Sequence, residues 1–344
     1  SVQERGATLF NSWRVMPLGR YYDDEWQLLE TVSGTDDQWR NPLIKLADGA
    51  VPKPTKVNRF LGSYYAEIAL PLDGLRFRTN LGLDSRAVQD YSFESAEARG
   101  NTMNSVNNGT DNRFMFTWEN LLFYDKTVKE HNFGVTLLQS IQEYLREYNK
   151  IPVQGTPADE LLYYYVGSAS TIGAIESGKT QWKLASFMAR LNYGYQGRYL
   201  ATLSARYDGS SRLAEGHQWV AFPAVALAWR INEESFMKDM NTFSNLKLRL
   251  GYGTVASSEV DPYETKGTLS KKPYNYGDEK VFGYAPNKMP NKTLTWETTG
   301  QWNAGIDFGF WGNRLNGSVE LYLQNTKNLL LNRQLPVVSG FNEI

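Results

Sequence analysis

Cysteine is absent from the 344 residues. That excludes a disulfide framework, a thiolate zinc site and a cysteine nucleophile. Histidine is nearly absent as well, with His131 and His217 alone, so a histidine-rich metal centre is not expected. Charge of one sign is missing. The 36 basic and 37 acidic residues leave a net charge of -1, which gives no electrostatic case for nucleic acid or an acidic surface. No apolar run approaches the ~20 residues of a membrane-spanning helix, and the mean hydropathy is -0.49. A helical membrane protein is thereby excluded. A β-barrel is not, because strands that alternate polar and apolar residues average to a polar composition.

Catalytic motifs are missing too. There is no HExxH, GxSxG, Walker or CxxC run, and Gly251-Tyr-Gly253 lacks the following helix of a dinucleotide loop. No catalytic, cofactor-binding or metal-binding residue is expected. The acidic pairs Asp23–Asp24, Asp36–Asp37 and Glu233–Glu234 read as solvated loop charges, and the two histidines as surface residues. Neither a basic n-region nor an apolar h-region stands at Ser1, and the closing run SGFNEI reads as loop. The chain therefore reads as a piece of a longer protein.

Aromatic residues, by contrast, are abundant at 14%, and the order of residues is regular. Period-two alternation marks ten candidate strands, at residues 57–70, 75–84, 112–124, 131–143, 181–195, 199–208, 219–231, 245–253, 294–308 and 315–325. In Tyr199–Tyr207, the set Tyr199, Ala201, Leu203, Ala205, Tyr207 opposes Leu200, Thr202, Ser204, Arg206. In the last pair, Trp296, Trp302, Ala304, Ile306 and Phe308 oppose Glu297, Gln301, Asn303 and Asp307.

Links within pairs are mostly short, whereas links between pairs (85–111, 144–180, 254–293) are mostly long and rich in Gly, Asn, Ser, Pro and Tyr. Such asymmetry is typical of outer-membrane barrels. Tyr199 to Tyr207 covers roughly 26 Å of strand. At a tilt of about 40° this crosses roughly 20 Å, close to the ~25 Å apolar band, with tyrosines at both edges and Tyr193 and Tyr195 joining one girdle. The pattern alone leaves a membrane barrel and a large soluble β fold both open.

Several runs narrow the choice. RYLATLSARYDGSSRLAEGHQWVAFPAVALAWRINEESFM, then NLKLRLGYG, then LTWETTGQWNAGIDFGFWGNRLNGSVELYLQNTKNLLL, with RFLGSYYAEIALPLDGLRFRTNLGLD earlier, resemble the SusC/RagA-like TonB-dependent outer-membrane transporters of Bacteroidetes. The likeness runs from about Asn41 onward. It implies an all-β fold, a portion of a large antiparallel transmembrane β-barrel with about ten strands present and the plug domain absent. On that reading 1–344 is one partial barrel domain. Residues 1–56 are mainly extracellular loop, 57–325 are barrel hairpins, and 326–344 begin a further loop.

The resemblance implies nutrient import at the cell outer membrane. Its partners would be a SusD-like surface lipoprotein, the TonB–ExbB–ExbD complex through parts outside this chain, an oligosaccharide or peptide substrate, and outer-membrane lipid. Lumen-facing candidates are Arg76, Arg78, Arg206, Arg230, Arg249, Glu297 and Gln301. Charge facing trapped water, with carboxylates nearby, is the favoured role for the arginines. Loop candidates for ligand or partner contact are Tyr274, Tyr276, Phe282 and Tyr284. The rival readings are a small passive porin and a soluble β-rich adhesin or carbohydrate-binding module.

Overall fold

The computed structural model describes residues 19–32, 40–100, 102–237, 242–277 and 279–344. The pair Asp36–Asp37 and part of the 1–56 segment lie outside the described residues. Among the described residues there are thirteen strands: β1 (Thr55–Ala69), β2 (Leu75–Glu94), β3 (Ser105–Val128), β4 (His131–Gln154), β5 (Thr171–Ile172), β6 (Glu176–Tyr195), β7 (Tyr199–Ser210), β8 (Trp219–Arg230), β9 (Phe243–Ser257), β10 (Thr268–Tyr276), β11 (Glu279–Lys288), β12 (Glu297–Phe310) and β13 (Leu315–Lys327). All but β10 and β11 belong to one sheet. Its path runs β1-β2-β3-β4-β6-β7-β8-β9-β12-β13, with β5 attached to β4. Sequential strands are neighbours, as in an up-and-down barrel wall. Among the described residues, β1 and β13 end the path and do not pair with each other.

All ten expected strands are present, and several run further than their alternation showed, β2, β3, β4, β6 and β9 most of all. β3 and β4 reach 24 residues each, about 80 Å of extended chain. β2 continues to Glu94 and β6 begins at Glu176. Much of 85–111 and 144–180, expected as loop, is therefore strand. The extensions were hidden because runs such as DSRAVQD carry polar residues on both faces, so they lack an apolar period. The 254–293 link also holds structure of its own, the separate two-stranded hairpin β10–β11.

The chain divides into two compact units. The first comprises 1–61, 84–114 and 145–180. It is organised around buried apolar clusters. Phe93, Val106 and Val153 pack together with Leu162, Tyr163 and Val166 against them, and Ile44, Ala50 and Ala98 form a second cluster. Asn104 is buried and fully engaged. Its amide donates to the Thr156 carbonyl (3.1 Å) and to Asp159 Oδ1 (2.7 Å), and its oxygen accepts from Thr156 N (2.7 Å). These groups answer the rule that buried polar atoms need partners.

The second unit comprises 62–83, 115–144 and 181–344. Its registers put opposite residues in rows: Phe187↔Tyr207, Leu203↔Val225, Leu227↔Leu250, Leu250↔Ala304 and Ala304↔Leu321 share one face. Met188↔Arg206, Ala228↔Arg249, Arg249↔Gly305 and Gly305↔Glu320 share the other. One element departs from expectation. Trp296, read as an outward strand residue, precedes β12. It is buried beside Leu213 and Phe222, and its Nε1 donates to the Gln218 carbonyl at 2.8 Å. A buried indole needs a partner for its N–H, and the loop carbonyl supplies it.

Candidate functional site

The apolar face of the second unit ends in rings at both levels. At the short-turn end, Phe133, Tyr193, His131, Tyr195, Tyr199 and Trp229 follow one another across β4, β6, β7 and β8, with successive ring centroids 4.8–6.4 Å apart. His131, expected as a plain surface residue, sits within this row, and its Nδ1 shares a hydrogen bond with the Tyr193 hydroxyl at 2.8 Å. At the other level Phe187, Trp219 and Tyr207 stack, with centroids 6.3 and 4.9 Å apart. Between the rows stand Leu191, Leu203, Val225, Leu227 and Leu250, several of them half exposed. Two aromatic rows bounding an exposed aliphatic band are the girdles of a transmembrane strand layer.

The short-turn end is pinned from within. In the turn after β8, Glu234 is buried. It accepts from the Tyr199 hydroxyl (2.6 Å), Trp229 Nε1 (2.9 Å) and Arg198 Nη1 (3.2 Å). Hydrogen bonds from Tyr199 first, then Trp229, hold its carboxyl below the ordinary range.

The opposite face carries the sequence-predicted arginines, each with partners. Arg249 binds Asp307 through two hydrogen bonds (2.7 and 2.9 Å) and reaches Glu320 at 2.6 Å. That reach crosses β12 at Gly305. A Cβ there would lie 3.1 Å from the guanidinium, so glycine keeps the path open. Arg206 binds Asp208 at 2.7 and 2.9 Å and Ser186 at 3.1 Å. Arg230 meets Glu233 at 3.3 Å. Arg76 bridges Glu67 (3.0 Å) and Asp125 (3.2 Å). Arg78 donates to Asn80 at 2.8 Å and lies over the Tyr65 ring at 4.4 Å. Glu297 accepts from Leu330 N at 3.0 Å, and Gln301 lies 3.5 Å from Asn303. The register brings Arg206, Arg230, Arg249, Glu297 and Gln301 onto one face.

The four loop aromatics lie on the β10–β11 hairpin and do not form one platform. Tyr274 is opposite Val281 and Tyr276 opposite Glu279, whereas Phe282 is opposite Pro273 and Tyr284 opposite Lys271. Directly opposed residues share a face, so two rings lie on each side. All four are exposed, and Lys271 Nζ lies 3.7 Å from the centre of the Phe282 ring.

A chamber in the same unit escaped the sequence reading. Its volume is about 670 Å³, and it gathers Arg212, Glu259, Asp261, Glu264 and Arg333 from segments outside the strands and Lys288 from the end of β11. Lys288 Nζ is held by Glu264 (2.9 Å) and Glu343 (3.3 Å), Glu264 being the larger influence in raising its pKa. Arg212 covers the Trp182 ring at 4.2 Å, and Trp182 stacks on Tyr144 at 5.6 Å. Only the DGSSR run drew attention to Arg212. The other members carry no period or motif.

A sheet of sequential antiparallel strands, with girdled rings on one face and paired charges on the other, is a section of a transmembrane β-barrel of the outer-membrane type. Comparison with known proteins gives the family. The chain matches the TonB dependent receptor-like β-barrel family over residues 7–342, and it belongs to that family. It is 30% identical over 342 residues to TonB-dependent receptor P3 of Formosa agariphila, covering 97% of this chain and 33% of that protein. It is 39% identical over 170 residues to TonB-dependent receptor SusC of Bacteroides thetaiotaomicron, covering 47% of this chain and 17% of that one. In fold it is similar to the RagAB peptide transporter, with a TM-score of 0.82, 21% identity, and coverage of 94% of this chain and 36% of that chain. The chain thus spans about a third of the length of the curated relatives it matches along nearly all of its residues.

Proposed function

We propose that this chain is wall and loop surface of an outer-membrane importer that takes up oligosaccharides or peptides with energy from the TonB–ExbB–ExbD complex. The role is transport rather than catalysis. The observation that carries it is the two-faced sheet of the second unit, apolar and girdled on one side and lined by Arg–carboxylate pairs on the other. The paired face suits a lumen. Its arginines hold charge towards water or a plug while their carboxylates keep the local field balanced. The long links then belong to the extracellular side, and the turns at 70–75, 128–131 and 195–199 to the periplasmic side.

The names of the relatives support this reading: TonB-dependent receptors, SusC among them, and a peptide transporter by fold. A SusD-like surface lipoprotein is the expected partner on the loop side. The β10–β11 hairpin, exposed on both faces, is a surface such a partner could cover, since a lone hairpin is marginal in water. The open ends of the sheet path speak against a small self-closed porin, and the exposed aliphatic band against a soluble module.

The test is uptake of labelled oligomers by cells carrying the whole parent protein. Import that stops when the proton-motive force is collapsed is expected. Recovery of the folded protein from the soluble fraction, or uptake indifferent to energisation, would overturn the proposal.

A further inference from the structure

The chamber of about 670 Å³ is unusual in its charge balance. Lys288 is satisfied by two carboxylates. Among the described residues, the side chains of Glu259, Asp261 and Arg333 have no ion pair and no hydrogen bond, yet all three line the chamber. Asn332 lines it with its side-chain amide likewise unengaged. Arg212 gives one weak hydrogen bond to the Val260 carbonyl (3.4 Å), and its Nε is buried without a partner. Burial lowers the Arg212 pKa, with Glu259 and Asp261 acting the other way. Leu329 and Leu331, both well exposed, border these charges.

A solute of one charge sign would satisfy one part of this lining and oppose the rest. A neutral oligosaccharide would strip water from two carboxylates and a guanidinium without replacing it, which is costly. A solute with a cation at one point, an anion at another, amides between and an aliphatic side chain matches every group. From this we infer that the chamber is a binding subsite for short peptides with free ends. Glu259 and Asp261 receive the α-ammonium group, Arg333 and Arg212 the α-carboxylate, Asn332 a peptide bond, and Leu329 and Leu331 an aliphatic side chain. The volume falls within the ~300–1,000 Å³ of ordinary ligand pockets, room for a few residues. The inference rests on the import reading and narrows its substrate class.

The experiment is calorimetry on the whole parent transporter with three probes: the tripeptide Ala-Leu-Ala, the same peptide acetylated and amidated, and maltotriose. The free peptide should bind, and capping both ends should weaken it at least roughly tenfold, the size expected of one well-placed charge contact. The double variant E259Q/D261N should weaken the free peptide about tenfold while leaving the N-acetylated form unchanged. R333Q should do the same for the α-carboxylate end. Both variants alter solvent-facing loop groups, and unchanged circular dichroism confirms their fold. Maltotriose binding as tightly as the peptide, or caps and variants without effect, overturns the inference.

Energised uptake by cells separates the two claims. If labelled oligosaccharide enters normally while the peptide does not bind, the chamber assignment falls and import stands. If neither solute enters, import falls, and the calorimetry still decides what the chamber binds.

Discussion

The two compact units use the same residue types in opposite ways. In the first, Phe93 is 1% exposed and packs against Val106 and Val153, so apolar surface leaves water by going inside. In the second, Leu203 is 49% and Trp302 61% exposed, and both stand on the face bounded by tyrosine and tryptophan rows. There the apolar surface has no protein to enter and is matched to lipid instead. The difference shows that burial alone cannot mark the important apolar residues of this chain. Which solvent lies beyond each face decides what exposure means.

The contrast can be broken most sharply in the first unit. Phe93→Ala removes the centre of a packed cluster and should cost about 3–5 kcal/mol. Faster hydrogen exchange across 84–114 and 145–180 would register it, while the strands of the second unit keep their protection.

The next largest effect tests the second unit. Leu203→Arg puts a charge on the lipid side and should cost about 2–4 kcal/mol near mid-bilayer. Ser204→Arg, one residue along and on the opposite face, should be tolerated. Heat-modifiable migration of the assembled parent protein distinguishes them, and equal damage from both would contradict the assignment of faces.

A smaller loss is expected from Arg249→Ala. It leaves Asp307 and Glu320 unpaired, but all three groups are partly exposed. About 1 kcal/mol is the scale for such pairs, read as a lower denaturation midpoint that Asp307→Asn in the same chain partly restores.

The smallest effect is a pH dependence. Asp111 is held well below the usual carboxylate range by Arg113 first and Arg146 second. Its folded pKa lies beneath its unfolded value near ~3.9. The pair therefore contributes fully above that value and is lost as pH falls through the lowered one. Asp111→Asn should flatten the acid-side decline in stability below about pH 4 and leave neutral behaviour little changed.

The sequence by itself determined the ten principal strands, the pairing of neighbours and the two faces of the second unit. A lipid-facing strand must alternate, and alternation can be read one residue at a time. It also showed which end carries Tyr193, Tyr195 and Tyr199, because rings at the edge of an apolar run have few other places to lie.

Only the tertiary structure decided the rest. The extensions of β2, β3, β4 and β6 carry polar residues on both faces and bury only scattered apolar side chains such as Phe93, Val106 and Val153, so they looked like loop. Trp296 went inside because Gln218, far away in sequence, offers its carbonyl. The hairpin register sent Tyr274 and Tyr276 to one face and Phe282 and Tyr284 to the other. Arg212, Glu259, Asp261 and Arg333 meet in one chamber because separate loops fold over the same strand ends. That convergence follows from loop packing, which leaves no periodic trace in the chain.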